Sequence, residues 1–526
     1  MPDAIAASVG GAVINALVYD LPQVIAISLA PVSPVAFPNA NTVVVLTATT
    51  NCWFTVGGTA AKATAGSDYL AAGTKWMLKI PAGQALSFIA DSAAGYVSIT
   101  PALPPAAPAV ALLNIPAAAQ VFDFTTGVLD ASITFTRTTT GPYFDNTGTL
   151  QTAAINAARF DYDPVALTPR GLLIEEARTN SIRNNTMVGA VAGTPGTLPT
   201  NWTQSTNTGC SLNVVGTGTE NGIAYVDLRI FGTATGGGNF NFLTDANNNA
   251  AATPGQIWTG SCYMKLVGGS LTNISSLSMG LQFFNAALTI VQGTGLPGIM
   301  PSAANLAVQR FVTNPQTAPA TTAWTRLSLN INTAAAGATD VTIRFGLPQL
   351  ELGAFATSPI ATSTVAVTRA VDNASAPLGG WYNQNTGTFD AEYIYEAIGT
   401  GQQTAIQLDN NSSDRMLIFR GTGSNQIVAT CIIGGAGQFS FNAPQQTVAL
   451  QLYKVAFAVD AVNGNNFAVS GAIVGSGLGA HPTTQTFLRL GAQGAGAAQP
   501  LNGWLRRFTY YNTALTPAQL QALTVY

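Results

Sequence analysis

Val341, Ile343, Phe345 and Leu347 face one side of an extended chain while Thr342 and Arg344 face the other, and this period of two recurs along most of the sequence. Phe389, Ala391, Tyr393 and Tyr395 alternate in the same way with Asp390, Glu392, Ile394 and Glu396. Further strand-like runs at 260–266, 278–284, 324–331, 416–420, 427–433, 450–459, 467–473, 487–490 and 504–511 are separated by loops rich in Gly, Asn and Thr. Such spacing specifies an all-β, multidomain chain built of β-sandwiches. One helical signal stands apart: Thr516-Pro517-Ala518-Gln519 is a capping box with proline at the first helical position, flanked by Leu515 and Leu520. No heptad, collagen run or internal repeat is present.

The chain divides by composition. Residues 1–39 are small and apolar and read as an N-terminal arm. Residues 40–105 read as a small β module, in which Pro81-Ala82-Gly83 joins the run through Trp76, Leu78 and Ile80 to residues 86–90 as a hairpin. Residues 106–120 form a stiff Pro/Ala linker. Residues 121–184 are dense in charge of both signs, including Asp123, Arg137, Arg159, Asp161, Asp163, Arg170, Glu175, Glu176, Arg178 and Arg183. They read as a connecting segment whose charges pair between neighbouring segments or subunits and fix register. Residues 185–357 and 376–526 are two β-rich domains, with 358–375 as the linker between them.

Only 8% of the 526 residues are charged and the net charge is −3, against ~25% charged residues in ordinary globular chains. That balance excludes nucleic-acid binding by phosphate neutralisation and polybasic binding to a membrane surface. No apolar run approaches the ~20 residues of a membrane helix, so no membrane insertion is expected. No Lys or Arg precedes Lys62, so the basic region of a signal peptide is absent. Manufacture in a host cytoplasm and release within an assembled particle fit an extracellular-type surface without an export signal.

His481 is the single histidine, and Cys52, Cys210, Cys262 and Cys431 form no CxxC pair. No metal site, cofactor or Ser-His-Asp triad is expected from this inventory. His481 reads as a loop histidine, Cys262 and Cys431 as buried thiols, and a Cys210–Cys262 disulfide is left open by sequence.

Phe135-Thr136-Arg137-Thr138, Tyr143-Phe144-Asp145-Asn146-Thr147-Gly148, Arg159-Phe160-Asp161-Tyr162-Asp163-Pro164 and the run from Arg170 to Asn180 (RGLLIEEARTN) resemble a segment of tailed-bacteriophage fibre and minor structural proteins. A second signature runs from Pro348 to Ser358 (PQLELGAFATS) and from Val367 to Asp372 (VTRAVD). In that family it closes a carbohydrate-binding-module-like jelly roll, here 185–357, although Pro359 stands where the family usually has an aromatic residue. The block 376–526, ending in Gly503-Trp504-Leu505-Arg506-Arg507, is similar to a concanavalin or laminin-G-like lectin sandwich. The resemblance implies a fibre or spike on the virion surface, on capsid or tail. It also implies a homotrimer, attachment to other virion proteins through the 40–105 module, and contact with host cell-surface polysaccharide.

Sugar rings have an apolar face and a polar rim, so aromatic side chains beside amides or guanidinium groups are the candidates for binding them. Trp381, Tyr382, Trp504 and Arg506 are those candidates in the last block, and Trp202 and Trp258 in the jelly roll. Asp390, Glu392 and Glu396 lie on one strand face and are the acids a depolymerase would use, but Ile394 interrupts their row. Asp161 and Asp163 are expected to pair with Arg159 or Arg170 rather than with a cation. The expected function is a non-enzymatic structural fibre that binds glycan. The alternatives are a virion depolymerase and a cellular carbohydrate-binding adhesin.

Overall fold

Extended runs too short to bury a core alone pair into sheets, and nearly every pairing here is antiparallel. The computed structural model describes residues 6–7, 23–27, 35–37, 42–57, 63–64, 67–80, 84–93, 95–101 and 114–525, apart from 205–208, 237, 246–249 and 297. It divides into two compact units, residues 1–114 and 115–526. The chain is all-β, as its alternation requires.

The first unit pairs Ala6–Ala7, Gln23–Ile27, Gly95–Pro101, Thr42–Ala48 and Lys75–Ile80 in one sheet. Val35–Phe37, Gln84–Ala90, Cys52–Gly57 and Asp68–Leu70 form the other. Leu46, Phe54, Leu86, Phe88 and Ile99 are buried between strands of the two sheets. Two expectations are corrected. Gln23–Ile27 and Val35–Phe37, assigned to the arm, are strands that add to Gly95–Pro101 and Gln84–Ala90 and complete their open edges. Lys75–Ile80 and Gln84–Ala90 are not a hairpin, because the first pairs with Thr42–Ala48 and the second with Cys52–Gly57 in the opposite sheet. Alternation fixes which side chains face inward, not which strand is the neighbour. The rest of the arm, the 81–83 turn and linker residues 106–113 lie outside the described residues.

In the second unit the segment 121–184 is not a connector. Gln120–Asp123 and Pro169–Ile174 both pair with Gly503–Tyr511, and Thr134–Thr136 pairs with Asn373–Pro377. Phe122, Phe124, Phe135, Leu172 and Ile174 therefore share one core with Phe389, Tyr393, Phe457, Leu488, Leu505 and Phe508. The C-terminal sandwich is built from chain on both sides of the jelly roll, which is inserted into it. Gly171 makes one of these pairings possible. Its φ is +119°, and a Cβ there would come within 2.4 Å of the Leu505 carbonyl oxygen.

The inserted jelly roll packs two six-stranded sheets face to face. Trp202, Trp258, Phe240, Phe242, Met279, Phe283, Leu329, Val341, Ile343 and Phe345 fill it. Leu347 departs from the expected face: at φ +40°, beside an irregularity in the pairing with Ile257–Gly269, it leaves that core. It packs with Phe144 and Tyr263 outside, a re-aiming typical of bulged strands. The insertion is entered and left through a two-stranded stem, Arg178–Asn180 against Val367–Arg369. The expected linker 358–375 is thus ordered structure, with Ser358, Ile360, Arg369 and Asp372 buried.

The capping box forms as read. The Gln519 side chain accepts from the Thr516 amide at 2.8 Å, and Leu515 and Leu520 are buried beside helix Pro517–Thr524. All four cysteines are free thiols, so Cys210 and Cys262 form no disulfide.

Candidate functional site

Three charged residues of 121–184, Arg137, Arg159 and Glu175, are paired beside the stem. Arg159 donates to Glu175 at 2.6 Å and pairs with Asp372, and Arg137 pairs with Asp372 at 3.0 Å. Arg369 pairs with Glu175 at 3.0 Å, and the Ser358 hydroxyl donates to Glu175 at 2.6 Å. All five charged side chains are buried. Burial raises the Glu175 carboxyl, but Arg369 and Arg159 outweigh it and hold the group below the usual carboxylate range. The pairs join neighbouring segments of the one chain. Charge pairs this far from water lock the geometry of the groups around them.

Beside this network, between the two sandwiches, lies a cleft of about 570 Å³, within the ~300–1,000 Å³ range of small-molecule sites. Trp504 of strand Gly503–Tyr511, Asp161 of Phe160–Tyr162 and Arg170 of Pro169–Ile174 line one side. Glu396, which follows strand Thr386–Tyr395, joins them. The jelly roll contributes Tyr263 and Arg310. Tyr263 alternates with core residues Cys262 and Met264 and so points outward from its sheet.

Asp161 is fully engaged. Its Oδ1 accepts from the Phe144 amide at 2.7 Å, and its Oδ2 from the Trp504 indole at 2.9 Å, with Arg170 Nη1 at 3.5 Å. Burial outweighs these partners and pushes its pKa up to about 6. The Arg170 guanidinium lies 4.8 Å from the centroid of the Trp504 ring, a cation–π contact. Glu396 has no hydrogen-bond or ion-pair partner for its carboxyl among the described residues. Burial, then Glu175 and Asp161, push its pKa up to about 8 against the pull of Arg310 and Arg170. The shift favours the protonated carboxyl, which can both donate and accept. Tyr263 is 2% exposed; its hydroxyl has no hydrogen-bond partner among the described residues, and burial pushes its pKa up to about 12. Arg310 donates to the Ser261 hydroxyl at 2.9 Å and faces the Tyr263 ring at 5.6 Å.

The four expected glycan-binding residues are not gathered in one place. Trp381 and Tyr382 pack edge-on and tilted against Tyr510, at 5.3 and 5.1 Å between centroids. Trp504 is 2% exposed and reaches only the cleft. Arg506 is spent on the Pro169 carbonyl at 2.7 Å. Trp202 and Trp258 are core residues of the jelly roll. The three acids are separated as well. Asp390 is buried and pushed up to about 7, first by burial and then by Glu392, while Glu392 pairs with Lys454 at 3.2 Å. Glu396 alone lines the cleft. Asp161 and Asp163 pair with Arg170 as expected. His481 is a loop residue but buried, and burial lowers its pKa.

Tyr263 and Arg310 were missed. Tyr263 was legible as the polar-tipped residue of the run Ser-Cys-Tyr-Met-Lys, on the face opposite Cys262. Nothing local marked Arg310. Among the described residues no three His, Cys, Asp or Glu side chains are grouped to hold a metal ion, and no helix is long and apolar enough to cross a membrane.

No family model and no curated protein matches the chain. Solved structures similar to parts of the chain include the CBM40 domain of the Ruminococcus gnavus IT-sialidase bound to α2,3-sialyllactose, at 16% identity, TM-score 0.25, covering 27% of this chain and 84% of that one. Domain 4 of AbnA, a GH43 extracellular arabinanase from Geobacillus stearothermophilus in complex with arabinotriose, matches at 15% identity and TM-score 0.25, covering 29% and 73%. The tandem CBM22-1–CBM22-2 domain of Paenibacillus barcinonensis Xyn10C matches at 9% identity and TM-score 0.20, covering 63% and 94%.

Proposed function

We propose that this chain is a glycan-binding surface protein of a phage or phage-like particle, holding host-surface polysaccharide in the cleft between its two sandwiches without cutting it. The observation that carries the binding reading is the cleft itself. Within it an indole, a phenol with a free hydroxyl, two guanidinium groups and a protonated carboxyl converge, the mix of apolar face and polar edge that a sugar ring demands. Placement on a particle rests on the fibre-like segments, whose residues Arg137, Arg159, Glu175, Ser358, Arg369 and Asp372 form the stem network. The first unit is the proposed attachment to other virion proteins. A homotrimer would use the nearly uncharged sandwich faces. Light scattering of the full chain tests that state, and a monomer at micromolar concentration contradicts it.

One observation favours the depolymerase as a second reading: Glu396 and Asp161 are two carboxyls in one cleft with unequal pKa values, the pattern of an acid and its partner. Against it, both oxygens of Asp161 are already engaged, so it is poorly placed to attack a sugar. Two assays on host polysaccharide separate the readings: saturable binding, and release of reducing ends over a day. Binding without chain shortening is expected. Shortening that vanishes in Glu396→Gln promotes the enzyme, and absence of binding removes the glycan reading.

A further inference from the structure

We propose that the cleft selects an acidic sugar, a uronic or sialic acid unit, whose carboxylate is received by Arg310 with the Tyr263 hydroxyl and the Glu396 carboxyl beside it; this rests on the glycan-binding reading. Arg310 has no carboxylate partner among the described residues, whereas Arg170 is shared between Asp161 and Asp163. Its Nε is buried, so a ligand meets the Nη edge, where Nη2 already donates one N–H to the Ser261 hydroxyl. A guanidinium fork suits a carboxylate, which accepts two parallel N–H bonds. Tyr263 is the independent pointer to a ligand. Its side chain is almost wholly buried, yet its hydroxyl opens on the cleft unpartnered, among Arg310, Glu396, Asp161 and Arg170.

The charge state of the cleft permits an anion. The titratable groups facing it are Tyr143, Asp161, Asp163, Arg170, Arg310, Tyr263 and Glu396, with Glu175 behind. Arg170 meets one of the two charges of Asp161 and Asp163, and Arg310 balances the other across the cleft. The upward shift of Glu396 favours its protonated form, which offers a proton to an incoming carboxylate instead of repelling it. Rising pH removes that proton and places a like charge beside the ligand. A neutral sugar would not sense this change as repulsion.

The test uses the full chain and paired probes: oligogalacturonate against its methyl ester, and α2,3-sialyllactose against lactose. Calorimetric titration at pH 7 is expected to favour at least one acidic probe over its neutral partner by about tenfold or more. Arg310→Met should erase the preference, and Arg310→Lys should restore part of it, while both variants keep the parent melting temperature. Acidic-probe affinity should fall between pH 7 and 9 in the parent chain and hold steady in Glu396→Gln. Equal binding of acidic and neutral probes, unchanged in Arg310→Met, overturns the acidic-sugar proposal and leaves glycan binding standing. Failure to bind any of the probes, or any host polysaccharide, overturns both.

Discussion

The indole N–H of Trp504 donates to Asp161 Oδ2 across 2.9 Å, joining positions 343 apart in the chain. The bond ties the last long strand of the molecule to the segment that precedes the inserted jelly roll, and it forms one wall of the cleft. Trp504→Phe leaves a smaller aromatic ring and removes the donor, so a buried carboxylate is short of one partner. A loss of ~1–3 kcal/mol is expected, with weaker glycan binding. Urea unfolding checks the first effect and titration the second.

The stem network makes a stronger demand. Asp372→Asn leaves Arg137 and Arg159 buried with one carboxylate fewer between them. Removing one partner of a buried pair costs ~3–5 kcal/mol, so Asp372→Asn should unfold at much lower urea concentration than Asp163→Asn, whose Arg170 partner is part-exposed. Equal midpoints for the two variants would contradict a structural role for the network.

The insertion predicts which fragments fold. A chain of residues 115–526 in which 181–366 are replaced by a short turn keeps both halves of the C-terminal core and the Asn180–Val367 pairing. It should be soluble and give a cooperative melt. Residues 376–526 alone lack Phe122, Phe124, Phe135, Leu172 and Ile174 and should aggregate. A well-folded 376–526 fragment, by dispersed amide resonances, would contradict the inserted architecture.

The individual strands were legible in the sequence, and their partners were not. Alternation at 341–345 and 389–395 marks the buried face correctly, and the Thr516 capping box marks the one α-helix among the described residues. Leu347 broke the pattern because a left-handed backbone position turns it out of register, which no run of residue types announces. The insertion stayed hidden because Gln120–Asp123 finds its neighbour Gly503–Tyr511 almost at the other end of the chain, and antiparallel pairing carries no sequence code for such a distance. For the same reason Glu396 was recognisable as an acid on a strand, but its grouping with Asp161, Tyr263 and Arg310 was not.

Opposed carboxyl shifts set the pH dependence of stability. The folded pKa of Glu175 lies below its unfolded value, so its contribution is present above that unfolded value and is lost as pH falls through the folded one. Asp390 and Glu396 are raised, to about 7 and about 8. Their contributions are present below the unfolded carboxylate range of ~4 and are lost as pH rises through the folded values. Stability should therefore peak in weak acid. Asp390→Asn should flatten the decline between about pH 4 and 7, read by urea unfolding at successive pH values; an unchanged slope would show that Asp390 is ionised throughout.

If the first unit is the attachment, it is expected to be separable from glycan binding. A chain beginning at Ile115 retains the whole second unit. It should melt as that unit does in the full chain, bind glycan equally well, and be missing from particles. Truncated protein found on virions at normal copy number would place the anchor elsewhere.

The most direct measurement is a crystal structure of the full second unit with a bound oligosaccharide from host surface polysaccharide. The sugar is expected in the cleft between the sandwiches, within hydrogen-bond distance of Tyr263, Glu396 and Arg310 and against Trp504. Sugar seated instead on Trp381 and Tyr382, with the cleft empty, would contradict the account.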